Sequence, residues 1–71
     1  MTQTLKINGV EKEFGEGKLP PTLMELLEQL GINQATVVAE IDGEIVERAR
    51  FAETKLTAGV SIELVRFVGG G

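Results

Sequence analysis

A chain of 71 residues has room for one hydrophobic core and no second domain. It has no cysteine and no histidine, which excludes disulfides and the usual structural zinc sites and leaves apolar burial and backbone pairing to hold it. Eleven acidic residues against seven basic give a net charge of −4, which argues against a nucleic-acid partner because phosphate contacts need clustered cations.

Hydrophobic residues make up 42% of the chain, enough for a globular domain and too many for a disordered one. A domain of this size buries only about 60% of the surface its unfolded chain exposes, so its packing has to be regular. No apolar run approaches a membrane span, and MTQTLKING lacks a signal-peptide core, so the expectation is a cytoplasmic protein without a membrane partner.

In LKINGVEKEF the Asn8-Gly9 pair suits a two-residue type I′ turn, in which both central residues have positive φ. Such a turn pairs Ile7 with Val10, Leu5 with Lys12 and Gln3 with Phe14 on one face. Lys12 is the misfit in that set. It marks an edge strand whose lysine stem lies over the core while its head reaches water. The stretch GEGKLPP reads as a loop; GEGK lacks the spacing of a phosphate-binding loop.

A helix follows. Thr22 is its N-cap, with Glu25 three residues on as in a capping box and Pro21 just before. Leu23, Leu26, Leu27 and Leu30 make one apolar stripe, and Gly31 is placed to end the helix in the left-handed conformation. So short a helix is not stable alone and must lie on a sheet.

A second hairpin-like unit turns at Asp42-Gly43, with Val37, Ala39 and Ile41 on its buried face. ERARFAETKL has no clean period and reads as an irregular or short 3₁₀ crossing anchored by Phe51 and Leu56. The last strand is VSIELVRF. The order β-β-α-β-(short β)-β predicts an α+β fold. Specifically, it predicts a β-grasp with one short helix on a mixed four- to five-stranded sheet and the first and last strands parallel neighbours. Residues 1–67 form the domain and 68–71 a flexible glycine tail.

The chemical inventory argues against an enzyme. General acid/base work would fall to carboxylates, Lys or Arg, and the one close carboxylate pair, Asp42 and Glu44, sits on a solvated turn tip. Ser61 has no histidine to activate it. Arg48, Arg50 and Arg66 read as scattered surface charges rather than a patch. Neither a bound cofactor nor a metal site is expected.

The unusual feature is Gly69-Gly70-Gly71, directly after the predicted central strand. Fully extended from Val68, this stalk spans roughly 13–14 Å and carries an ionised α-carboxylate at its end. Without Cβ atoms it fits a narrow channel and leaves the carboxyl carbon open to attack. A frayed terminus is the competing reading.

From Leu5 to Gly71, and most clearly in IDGEIVERARFAETKL followed by IELVRFVGGG, the chain resembles the ThiS family, the sulfur carriers of thiamine biosynthesis. That family often has Gly-Asp before the last strand, where this chain has Gly59-Val60. The resemblance implies a ubiquitin-like β-grasp whose terminal diglycine falls on Gly70 and Gly71. It also implies that an enzyme related to ubiquitin E1 adenylates the Gly71 carboxylate with ATP and magnesium. Sulfur from a persulfide, usually supplied by a cysteine desulfurase, then makes the thiocarboxylate that thiazole synthase consumes. On this reading Gly69 and Gly70 thread into the partner's active site.

The last strand adds a docking expectation. With Ile62 and Leu64 turned to the helix, Val65 and Phe67 fall on the open face beside the tail, unless Phe51 and the crossing loop cover them. The alternatives are the small subunit of molybdopterin synthase, another ubiquitin-like sulfur carrier, and a ubiquitin-like binding module whose glycines are only a loose end.

Overall fold

The computed structural model describes residues 2–66. Strand β1 (Gln3–Ile7) turns through Asn8-Gly9 into β2 (Val10–Phe14), and helix α1 (Leu23–Leu30) follows. Strands β3 (Val37–Ile41) and β4 (Glu44–Val46) form the second hairpin, and β5 (Ser61–Arg66) closes the fold. Short 3₁₀ turns occupy Gln34–Thr36 and Arg48–Arg50. The five strands lie in the order β2-β1-β5-β3-β4, with β1 and β5 parallel and the other pairs antiparallel. This is the β-grasp expected from the sequence, with five strands and the C-terminal strand at the centre.

The first hairpin has the expected register, Ile7 opposite Val10, Leu5 opposite Lys12 and Gln3 opposite Phe14. Its turn has φ of 51° at Asn8 and 81° at Gly9, the positive pair that a type I′ turn demands. Strand β2 is an edge, and the Lys12 ammonium sits 5.8 Å from the centroid of the Phe14 ring on the same face. The lysine thus shields an aromatic core residue while keeping its charge in water.

Helix α1 begins with every early N–H accounted for, which matters because a helix start leaves these donors without intrahelical partners. Leu23 N–H donates to Thr54 C=O at 2.9 Å and Met24 N–H to Phe51 C=O at 3.1 Å. The Thr22 hydroxyl accepts from Glu25 N–H at 3.3 Å. The crossing segment and the helix therefore fix one another, and an isolated bridge between Thr22 and Lys55 adds to the join. At the other end Gly31 adopts φ 71°, with Gly31 N–H on Glu28 C=O and Ile32 N–H on Leu27 C=O, a Schellman closure.

Leu23, Leu26 and Leu27 are fully or almost fully buried against Leu5, Ala39, Ile62 and Phe51, while Leu30 packs at the margin. Phe51 and Leu56 anchor the crossing segment as expected. All of this apolar material lies on one side of the sheet. Among the described residues the single α-helix lies on this side. None of the described helices is long and apolar enough to cross a membrane.

Candidate functional site

Gly69, Gly70 and Gly71, expected to carry and thread the reactive end, lie outside the described residues, as does Phe67. The structure describes the strand that leads to them and the surface that surrounds it. Strand β5 is the central strand, paired with β1 on one side and β3 on the other. Ile62 and Leu64 face the helix and are buried; Ser61, Glu63 and Val65 face the open side.

Val65 is 55% exposed, and its cross-strand partner Val38 is 40% exposed. Ile45 on β4, 70% exposed, shares a shallow hollow with Val38 that also takes in Gln34 and Arg48. Phe51, 1% exposed in the core, also lines this hollow but leaves Val65 and Val38 exposed. The open side therefore presents three β-branched side chains at the end of the sheet from which the chain continues to its C-terminus. Beside them the alternation turns acidic: Glu40 and Glu63 stand directly opposite each other across β3 and β5. Like charges so placed repel, and a cation from outside would relieve them.

Two side chains tie β5 to its flanking hairpins. Asn8 Oδ1 accepts from Leu64 N–H at 2.6 Å and Asn8 Nδ2 donates to Leu64 C=O at 3.2 Å. On the opposite flank Asp42 Oδ1 accepts from Ser61 N–H at 3.0 Å, and Asp42 N–H donates to Ser61 C=O at 2.8 Å. Both residues are the first of a two-residue turn, with φ of 51° and 50°. The sequence marks them as turn formers, and their second role had no signal in the local pattern.

The other candidates stay apart. The carboxylate of Asp42 is engaged at the strand start, and Glu44 is exposed in register with Ile41 on the edge strand. Ser61 offers β5 its backbone groups. Arg48 and Arg50 belong to a 3₁₀ turn and Arg66 ends β5, so they occupy separate elements. The GEGK stretch is a turn closed by Lys18 N–H on Gly15 C=O.

Residues 5–71 match the model of the ThiS family. The chain is 34% identical over 67 residues to the sulfur carrier protein ThiS of Bacillus subtilis, covering 94% of this chain and 98% of that protein. It is 36% identical over 67 residues to a thiazole synthase of Paramagnetospirillum magneticum; the match takes in 94% of this chain and spans 20% of that longer protein. Among solved structures, the crystal structure of the thiamine biosynthesis protein ThiS from Geobacter metallireducens superposes with a TM-score of 0.78 at 35% identity, covering 96% of this chain and 99% of that one. The solution structure of a thiamine biosynthesis protein from the same organism gives 0.74, also at 35% identity, covering 96% and 87%.

Proposed function

The chain belongs to the ThiS family, and from that membership we propose that it carries sulfur as a thiocarboxylate on Gly71. It is a small carrier of the ThiS type, serving thiamine biosynthesis, and not a catalyst. The observation that carries the finer reading is that the family match runs through to residue 71.

A carboxylate is a poor acyl donor, so the α-carboxyl group needs activation before sulfur can replace oxygen. Adenylation by an E1-like enzyme with ATP and magnesium supplies AMP as a leaving group. The outer sulfur of a persulfide, made by a cysteine desulfurase, attacks the acyl adenylate and expels AMP. A second thiol, such as free cysteine, then cleaves the acyl disulfide so formed, releasing the thiocarboxylate and leaving an ordinary disulfide. Gly69 and Gly70 let the end enter the partner's active site without Cβ clashes. Val65 dwells on the open face with Val38 and Ile45, and we take this patch, with Phe67, as the surface on which the partner docks. We place these steps in the cytoplasm, where ATP is available.

Thiazole synthase is the proposed acceptor of the sulfur. In its support, a segment similar to this chain forms one fifth of a protein named thiazole synthase, so in that relative a carrier-like segment and the synthase share one polypeptide. The relatives reported above are named for thiazole synthase, ThiS or thiamine biosynthesis, which favours this acceptor over molybdopterin synthase.

The test is mass spectrometry after incubation with an activating enzyme, ATP, a cysteine desulfurase and cysteine. Exchange of oxygen for sulfur adds nearly the mass of an oxidised Met1 or Met24, so a thiol-directed alkylation must be mapped to Gly71. An alkylated C-terminal peptide is the expected result. No modification, with enzymes active on a known carrier, would overturn the reading in favour of a binding module.

A further inference from the structure

The parallel ladder between β1 and β5 is short. It pairs Lys6 with Ser61 and Ile7 with Ile62, and backbone bonds run from Lys6 N–H to Val60 C=O at 3.0 Å and from Asn8 N–H to Ile62 C=O at 2.8 Å. At Asn8 the chain turns back into β2, so the β1 backbone extends no further along β5. The next groups of β5 on that flank are the N–H and C=O of Leu64. The Asn8 side-chain amide takes both, one accepted at 2.6 Å and one donated to at 3.2 Å. Its carbonyl and amide stand where the next peptide group of a longer β1 would stand.

We infer that Asn8 is a positioning residue for the C-terminal segment: its amide holds the β1 flank of β5 at Leu64 and so fixes the direction in which the strand leads out of the body. Leu64 is the last buried residue of β5 and the last that these bonds hold from both flanks; Val65 and Arg66 are paired on the β3 side, with Val38 and Val37. The inference rests on the carrier reading, in which one partner engages the open face and the terminal carboxylate together. Two linked contacts reinforce each other only as far as the tether between them is short and directed. Releasing Leu64 leaves the end of β5 held on the β3 side alone, so the direction in which the chain leaves the body after Arg66 is less fixed and that reinforcement weakens. Asparagine suits the place because it tolerates positive φ and carries both a donor and an acceptor.

Asn8→Gly is the informative variant, since glycine keeps the left-handed turn and removes only the amide. Amide hydrogen exchange should show Leu64 N–H losing about tenfold or more in protection, with Leu5 and Ile62 little changed. In adenylation assays with the activating enzyme, KM for the carrier should rise roughly threefold to tenfold while kcat stays within about twofold, the worth of one net hydrogen bond. Asn8→Asp, which keeps the acceptor and loses the donor, should fall between. Gly31→Ala, destabilised at the far end of the helix, is the control and should leave KM at the wild-type value.

Full Leu64 protection in Asn8→Gly would overturn the clamp. Lost protection with an unchanged KM, or a KM shift that Gly31→Ala reproduces, would overturn the positioning role and leave a structural bond only. Failure of the wild-type chain to be adenylated would count against the carrier reading and take the positioning role with it, while hydrogen exchange would still decide the clamp.

Discussion

Asp42 and Ser61 close a two-bond ring between the second hairpin turn and the first residue of β5, one bond through the Asp42 backbone N–H and one through its carboxylate. The ring accounts for a residue with a side-chain acceptor where glycine would also make the turn. Asp42→Gly keeps φ and loses the acceptor. It should cost about 1 kcal/mol, one net hydrogen bond, because the larger backbone entropy of glycine in the unfolded chain is offset by relief of the positive φ. Asp42→Asn, which retains an acceptor and tolerates φ of 50°, should stay near wild type. In a domain of this size the glycine variant should melt lower by at least about 4–8 °C in a thermal scan. Equal melting of the two variants would mean that the carboxylate bond contributes nothing.

At Gly31 the backbone, and not space, sets the residue. A Cβ there would meet nothing within 4 Å, but φ is 71°. Gly31→Ala should therefore destabilise by about 1–2 kcal/mol and Gly31→Asn by less. Urea midpoints compared at equal slope test this ordering.

The open-face patch separates binding from folding. Val65→Ser and Val38→Ser remove exposed methyl groups, so stability should change by no more than about 0.5 kcal/mol. Binding to the activating enzyme, measured by titration calorimetry, should weaken for both, and for Phe67→Ser. Val10→Ser, on the far edge strand at 68% exposure, should leave binding as it was. A collapse of thermal stability in Val65→Ser would defeat the docking assignment.

Extension of the chain by one alanine beyond Gly71 should abolish thiocarboxylate formation without moving the melting temperature. The added residue displaces the carboxyl group from the position that an activating site reads, while the body is untouched. Undiminished modification of the extended chain would sink the assignment to Gly71.

Much of this architecture is legible in the sequence because the strongest signals are local. Asn8-Gly9 dictates a two-residue turn, and a two-residue turn dictates the register of every pair from Ile7–Val10 to Gln3–Phe14. Thr22, the leucine stripe and Gly31 delimit the helix for similar reasons. Other features depend on partners that no window of sequence brings together. The Asn8 amide meets Leu64 and the Asp42 carboxylate meets Ser61 only once β5 has been inserted between the hairpins. The 3₁₀ turn at Gln34–Thr36, capped by Asn33, carries no apolar period to announce it. The exposure of Val65 depends on where Phe51 packs, and Phe51 lies in the core. The tail glycines, conspicuous in the sequence, are the part of the site for which composition and family resemblance carry the argument.

The parallel placement of β1 beside β5 also bears on how the molecule answers a pull. A partner that draws the C-terminal end into a channel tugs β5 along its own length. The rungs joining β5 to β1 and β3, including the Asn8 and Asp42 bonds, lie across that line of force. They are loaded together in shear and do not open one after another like a zipper. If the proposed threading of Gly69 and Gly70 is how a partner takes the chain, a pull on that end is borne without the tension unravelling the body behind it.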